Sequence, residues 1–154
     1  MVGRASLLVA LVLASAATAQ DGDPLARTDP LEVQREVARL GDDAVRSRLQ
    51  EGPVHERLSA IRAVRWLTAP EAALGDLVTL AGSDDPRLAP AAAIALWRVS
   101  TSLDPRELSD REAAMEELQS AAEALATVSA DESLRPDLRR LLEIALTHLR
   151  SLVE

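Results

Sequence analysis

The feature of this chain that most restricts its fold is an internal repeat of one apolar pattern. Two copies lie 50 residues apart: Pro86, Leu88, Ile94, Ala95 and Leu96 recur as Pro136, Leu138, Ile144, Ala145 and Leu146. A looser copy, 30 residues before the first of these, runs through Leu58, Ala63 and Val64. An apolar face that is written repeatedly requires neighbouring copies to cover it. The repeat therefore predicts helical hairpins stacked side by side.

The start of the chain is typical of a secretory signal peptide. Arg4 precedes an uninterrupted run of small and apolar residues, which ends in the cleavage-like tripeptide Ala17-Thr18-Ala19. The run is too short to span a bilayer, which requires about 20 apolar residues. We therefore expect export to the periplasm or the extracellular space, with an uncleaved N-terminal anchor as the alternative. The predicted divisions are a signal peptide at 1–19, a short linker at 20–29 and a helical-repeat domain at 30–154.

The composition favours helices over sheets. Cys, Phe and Tyr are absent, and Trp66 and Trp97 are the only large aromatic side chains. The core must therefore consist of Leu, Val and Ala, which suit closely packed helices better than a sheet. The absence of Cys also excludes disulfides and a lipoprotein anchor, so that stability must come from packing.

Proline and glycine punctuation predicts seven helices. Asp29-Pro30 and Asp104-Pro105 each place a capping carboxylate before a proline at the first helical position. Gly41, Gly52 and Gly82 each follow an apolar periodic run and are typical of helix ends. The predicted helices cover residues 30–40, 43–51, 54–68, 70–81, 86–100, 105–129 and 136–152. No segment shows the alternation of a strand.

Three motifs between Pro53 and Ser100 carry a family resemblance. They are Arg57-Leu58-Ser59-Ala60-Ile61-Arg62-Ala63-Val64, Pro70-Glu71-Ala72-Ala73-Leu74, and Asp84-Asp85-Pro86 leading into Ala91-Ala92-Ala93-Ile94-Ala95-Leu96. This segment resembles the HEAT-repeat family, in particular its short bacterial members, and residues 131–152 add a weaker copy. The resemblance implies an all-α fold, an α-α superhelix of about three HEAT-like hairpins plus an N-terminal helix. Because three hairpins are near the lower limit for a stable array, a flat or bundle-like variant stays open.

The charges differ in sign between the two helices of each hairpin. Without residues 1–19 the chain has 16 Arg and 25 acidic residues, a net charge of −9. The second helices of the three hairpins (54–68, 86–100 and 136–152) sum to +5, which leaves −14 for the remainder. A net charge of −9 also argues against nucleic-acid binding, which requires a basic surface.

The resemblance implies that the second helices line the inner, partner-binding side of the array. We therefore expect a non-enzymatic protein-binding or scaffolding module with an acidic protein partner. The candidate partner-binding residues are Arg57, Arg62, Arg65, Trp66, Trp97, Arg98, Arg139 and Arg140. The alternative is that these arginines pair with Asp and Glu of the neighbouring layer, and that the tryptophans are core residues.

No catalytic, cofactor-binding or metal site is predicted. The chain has no cysteine nucleophile, no glycine-flanked serine and no glycine-rich phosphate loop. His55-Glu56 resembles the iron-binding pairs of deoxyhypusine hydroxylase, another HEAT-like protein, but His148 has no adjacent carboxylate. One such pair cannot supply the three or four ligands of a metal centre.

Two alternative functions stay open. The first is a HEAT-like enzyme subunit, lyase-like or metal-dependent, for which His55, Glu56 and His148 are the remaining candidates. The second is a structural helical bundle that self-associates through the long helix predicted from Pro105.

Overall fold

The structure, a computed structural model, describes residues 22–108 and 110–154, and these ranges contain helices and no strand. The signal peptide predicted at 1–19 lies outside them. The seven α-helices are α1 (Pro30–Leu40), α2 (Asp42–Glu51), α3 (Val54–Ala63), α4 (Leu74–Ala81), α5 (Leu88–Ser102), α6 (Arg111–Ser129) and α7 (Pro136–Val153). Short 3-10 helices cover Pro24–Ala26, Val64–Trp66 and Pro70–Ala73. The predicted all-α class and the order of seven helices are confirmed.

Three helices begin later than predicted. The Asp104 carboxylate accepts a hydrogen bond from the Arg106 N–H (2.9 Å), which closes a turn, and α6 begins only at Arg111. Helix α4 begins at Leu74, after the 3-10 helix Pro70–Ala73. Helix α5 begins at Leu88, two residues after the predicted start, and the Asp85 carboxylate accepts from the N–H groups of Arg87 (2.8 Å) and Leu88 (3.2 Å). An Asp-Pro pair serves a turn as well as a helix start. At Asp29-Pro30, by contrast, Asp29 caps α1 through the Leu31 N–H (2.9 Å), as predicted.

The helices pack as three hairpins, α2 with α3, α4 with α5, and α6 with α7. The second helices form one row in which α3 contacts α5 and α5 contacts α7. The first helices form another row in which α2 contacts α4 and α4 contacts α6. Helix α1 packs against the first hairpin and against Val64–Trp66. The stacked hairpins expected from the repeat are therefore present in the helix contacts.

Equivalent positions of the 50-residue repeat have the same burial. Leu88 and Leu138 are both buried, as are Ala95 and Ala145. Ile94 and Ile144 are both on the surface, with 39% and 38% of their area exposed. The repeated sequence thus specifies a repeated environment, one that includes an outward-facing isoleucine.

The core consists of aliphatic side chains. Its largest fully buried members are leucines and valines: Leu25, Leu49, Leu74, Leu77, Leu96, Leu118, Leu125, Leu142, Leu149, Val37, Val45 and Val64. Alanines such as Ala60, Ala92 and Ala145 lie among them with no exposed area. Small side chains at these positions allow neighbouring helix backbones to approach closely, as the composition predicts.

One side of α7 is polar. Its exposed residues Arg140, Glu143, Thr147 and Arg150 are spaced by three or four and therefore share a face. The buried residues, including Leu142, Ala145 and Leu149, lie on the side that packs against α5 and α6. Ile144, 38% exposed, is the only exposed large apolar residue of α7.

Part of the predicted linker packs against the helical domain. Leu25 is 1% exposed, within the 3-10 helix Pro24–Ala26. The Asp23 carboxylate accepts hydrogen bonds from the Leu25 N–H (3.0 Å) and from Nη1 of Arg48 in α2 (2.9 Å). Burial of Leu25 and this ion pair together fix the segment that leads into α1.

Two glycines, Gly41 between α1 and α2 and Gly75 in α4, are expected to respond in opposite ways to replacement by alanine. Gly41 has φ 86° and ψ 159°, a region that residues with a Cβ rarely adopt. Gly75, exposed near the start of α4, has no positive φ, and a Cβ there would contact nothing within 4 Å. We expect Gly41→Ala to lower the free energy of unfolding by about 1–3 kcal/mol and Gly75→Ala to raise it by about 0.5–1 kcal/mol. Urea denaturation of both variants measures this, and equal effects would contradict the conformation of Gly41.

Candidate functional site

A groove lies on the surface of the second-helix row, between α3 and α5. It has a volume of about 270 Å³. Its lining residues come from α3 and the adjoining 3-10 helix and from α5: Ile61, Arg62 and Arg65 on one side, and Ala91, Ile94, Ala95, Arg98 and Val99 on the other. We call this feature the α3–α5 groove.

The helical periodicity of α5 produces the groove. Ala91, Ala95 and Arg98 are spaced by four and three residues and therefore lie on one side of α5. Leu96 and Ala92, which have no exposed area, lie further round the helix and fill the core. Because Ala91 and Ala95 end at Cβ, α5 presents little volume towards α3, and a recess remains above the core.

Three arginines surround this recess. Arg62, Arg65 and Arg98 are all exposed. The ion pairs within the described part of the chain involve Arg39, Arg46, Arg48, Arg87 and Arg135. None of the three groove arginines therefore has a carboxylate partner there, which is contrary to the alternative that they pair with the neighbouring layer.

The segment that follows Arg65 is held by hydrogen bonds to the start of α2. The Asp42 carboxylate, at the start of α2, accepts from the N–H groups of Thr68 (3.1 Å) and Ala69 (2.9 Å). The Arg65 guanidinium lies over the Trp66 ring, 4.5 Å from its centroid. This cation–π contact gives Arg65 a preferred position at the edge of the groove.

The two tryptophans lie in different environments, although the sequence places them at similar repeat positions. Trp66 is half-buried and packs against the core. Trp97 is 38% exposed on α5, three residues after Ile94. Trp66 is thus a core contact that supports Arg65, whereas Trp97 extends the apolar surface beside the groove.

The remaining predicted arginines do not join the groove. Nη2 of Arg57 donates to the Gln50 carbonyl (2.5 Å), and Nη2 of Arg139 donates to the Asp131 carbonyl (3.1 Å). Both arginines therefore tie a helix to the segment before it. Arg140 is exposed on the polar side of α7. The structure thus brings together three of the six arginines predicted as partner-binding.

The apolar part of the groove was missed by the sequence reasoning. Ile61, Ala91, Ile94 and Ala95 belong to the family-like motifs, Val99 lies three residues after the last motif, and none of the five was predicted as partner-binding. The signal that the sequence offered was the pair of alanines four residues apart, Ala91 and Ala95, with Ile94 beside the second of them.

The candidates for a metal-dependent enzyme do not converge. His55 and His148 are exposed, on α3 and α7 respectively. Across residues 22–108 and 110–154, no three His, Cys, Asp or Glu side chains form a group that could hold a metal ion.

Two of the carboxylates whose pKa is shifted lie in turns between helices, outside the groove. The pKa of Asp85 is lowered, chiefly because the Arg87 N–H donates to its carboxylate. The pKa of Asp131 is lowered, chiefly by the side-chain hydrogen bond with Ser133. Both aspartates line a second pocket of about 240 Å³ between two inter-helix loops.

The outer side of α6, considered above for self-association, is acidic. Glu112, Glu116, Glu117 and Glu123 are exposed along it. Its apolar residues, including Leu118 and Leu125, are buried inside the fold. Two copies that met through this side would bring like charges together.

Neither a protein-family model, nor a curated protein, nor a solved structure matches this chain. Among the helices that the structure describes, none is both long and apolar enough to cross a membrane.

Proposed function

We propose that this protein is an exported, non-enzymatic binding module of the HEAT-repeat type, which holds an acidic protein partner at the α3–α5 groove. One observation carries the proposal. Arg62, Arg65 and Arg98 surround an apolar recess and have no carboxylate partner among the described residues. Guanidinium groups in such an arrangement offer paired donors to the carboxylates of another molecule.

The arrangement of the helices supports the HEAT-like part of the proposal. Three hairpins stack with their second helices in one row, and the positions of the 50-residue repeat have equal burial. We propose that the rows curve into a short α-α superhelix, with the row α3, α5 and α7 on the inner side. In this arrangement the α3–α5 groove faces the partner.

The sequence before the helical domain supports export. The run after Arg4 and the Ala17-Thr18-Ala19 tripeptide fit a secretory signal peptide. We propose that the protein acts in the periplasm or outside the cell. A fold that needs no cysteine is compatible with an oxidising compartment.

The charge of the chain supports a protein partner and argues against nucleic acid. The net charge is −9 without residues 1–19, while the second-helix row carries the local positive charge. A positive patch on an acidic protein steers an acidic partner to one face and repels it from the others.

Cross-linking tests the proposal, and the amino-acid composition determines which cross-linking chemistry can be used. The chain has neither Lys nor Cys, so amine- and thiol-reactive cross-linkers find no side-chain target in it. A photoreactive residue at position 97, beside the groove, can report a bound partner instead. The protein is incubated with an envelope extract, irradiated and analysed for cross-linked products.

We expect simultaneous Arg62→Glu, Arg65→Glu and Arg98→Glu to reduce cross-linking of the partner by at least about tenfold, because attraction becomes repulsion. The matched control carries Arg27→Glu, Arg35→Glu and Arg111→Glu, which change the net charge equally at exposed positions outside the groove. Equal cross-linking by both triple variants would refute the proposal.

A further inference from the structure

We infer that the α3–α5 groove binds a short acidic segment of its partner, in which one bulky apolar side chain is flanked on both sides by Asp or Glu. This inference rests on the proposed function and specifies the ligand at the same site.

The volume of the groove determines the central side chain. The recess holds about 270 Å³, whereas an apolar cavity of about 150 Å³ is sufficient to hold benzene. One phenylalanine or leucine side chain therefore fits, while a whole protein surface does not enter. Ile61, Ile94 and Val99 supply aliphatic contacts for this anchor, and Ala91 and Ala95 leave the space.

The positions of the arginines determine the flanking residues. Arg62 and Arg65 come from the α3 side of the recess and Arg98 comes from the α5 side. An anchor seated between the helices therefore has guanidinium groups on both sides. Carboxylates before and after the anchor in its chain reach both sets, and each can form a charge-assisted hydrogen bond.

The charge pattern favours a foreign segment over a second copy of this chain. Leu31, at 59% exposed, is the most exposed large apolar side chain in the described residues. Although Asp29 and Glu32 flank it, the exposed Arg27 and Arg35 lie beside it as well. These arginines would face those of the groove, so Leu31 is poorly matched to that site.

A fluorescent peptide tests the inference directly. The probe has a central Phe with two Glu on each side and is titrated with the full chain at low ionic strength, with anisotropy as the readout. Two further peptides replace either all Glu by Gln or the Phe by Ala. We expect the acidic Phe peptide to bind, and each replacement to raise its Kd by at least about tenfold.

Two isoleucines of the repeat provide a matched pair of variants. Ile94→Glu places a carboxylate in the groove, whereas Ile144→Glu makes the same change at a position of equal exposure on α7. We expect Ile94→Glu and Arg98→Glu to raise the Kd of the acidic peptide by at least about tenfold, and Ile144→Glu to leave it within about twofold. Circular dichroism checks that each variant is folded.

Several results would overturn the inference. Equal affinity for the Glu and Gln peptides, or an unchanged Kd in Arg98→Glu, would remove the role of the carboxylates. Binding to phosphatidylglycerol vesicles without binding to the peptide would assign the arginines to a lipid surface. A sedimenting dimer of the protein alone that Ile94→Glu dissociates would assign the groove to a second copy.

The two proposals can fail separately. If the peptides do not bind while the groove triple variant still loses its cross-linked partner, the acidic-segment ligand is wrong and the partner-binding function stands. If the acidic peptide binds through Arg98 and Ile94 while no cross-linked partner depends on the arginines, the ligand chemistry stands. In that case the proposed capture of a partner protein is wrong.

Discussion

Replacement of Ala145 by aspartate is expected to lower the free energy of unfolding by about 4 kcal/mol or more. Ala145 has no exposed area and lies on α7, which packs against α5 and α6. A carboxylate at this position loses its water and gains no cationic partner, because its surroundings are aliphatic. Urea denaturation followed by circular dichroism measures the loss.

The adjacent residue gives a control for this prediction. Ile144→Asp introduces the same carboxylate one position earlier, where the side chain is 38% exposed. We expect its effect to stay below about 1.5 kcal/mol, because the charge remains in water. Similar losses for the two variants would show that α7 does not bury Ala145 against the row.

Truncation of Leu96 to alanine is expected to cost about 3–5 kcal/mol in the free energy of unfolding. Leu96 is fully buried in α5, the middle helix of the row formed by α3, α5 and α7. Removing its side chain deletes apolar contacts and leaves a cavity that the flanking helices cannot close, since each is held by its own hairpin.

Ile94→Ala, two residues earlier on α5, provides the comparison. Ile94 is 39% exposed and lines the α3–α5 groove, so its truncation enlarges a recess that is already open to solvent. We expect a cost below about 1.5 kcal/mol. If Ile94→Ala were as destabilising as Leu96→Ala, the groove would be part of the core instead of a free surface.

The helical content follows from local signals in the sequence, but the exact helix starts do not. The repeat, the glycines and the absence of strand patterns are local features, and the structure confirms seven helices in the predicted order. Asp104 was predicted to cap a helix but closes a turn ahead of α6. At α6 the capping position belongs to Asp110, whose carboxylate accepts from the Ala113 N–H (3.2 Å). The sequence therefore shows that a helix starts near an Asp-Pro pair. It does not show at which residue the helix starts, because this depends on the packing of the residues that follow.

The candidate site was only partly predictable, because it depends on two helices that are distant in sequence. The sign of the charge on the second helices identified Arg62, Arg65 and Arg98 as candidates. The recess between them exists because the side chains of Ala91 and Ala95 are small. The sequence shows that these residues are small, but it does not show which helix faces them, so the recess could not be predicted. The same limit applies to the tryptophans, since the chain leaves α3 at Ala63, before Trp66, whereas α5 continues past Trp97.

The polar side of α7 affects how such an array could be lengthened by gene duplication or by protein engineering. A new hairpin packed on the exposed side of α7 would cover the polar residues Glu143, Thr147 and Arg150 and would gain only Ile144, 38% exposed, as an exposed large apolar contact. A hairpin inserted after Ser102, between the second and third pairs, would instead meet helices that already bury both flanks. The existing surfaces therefore favour insertion into the interior of the array over addition beyond α7.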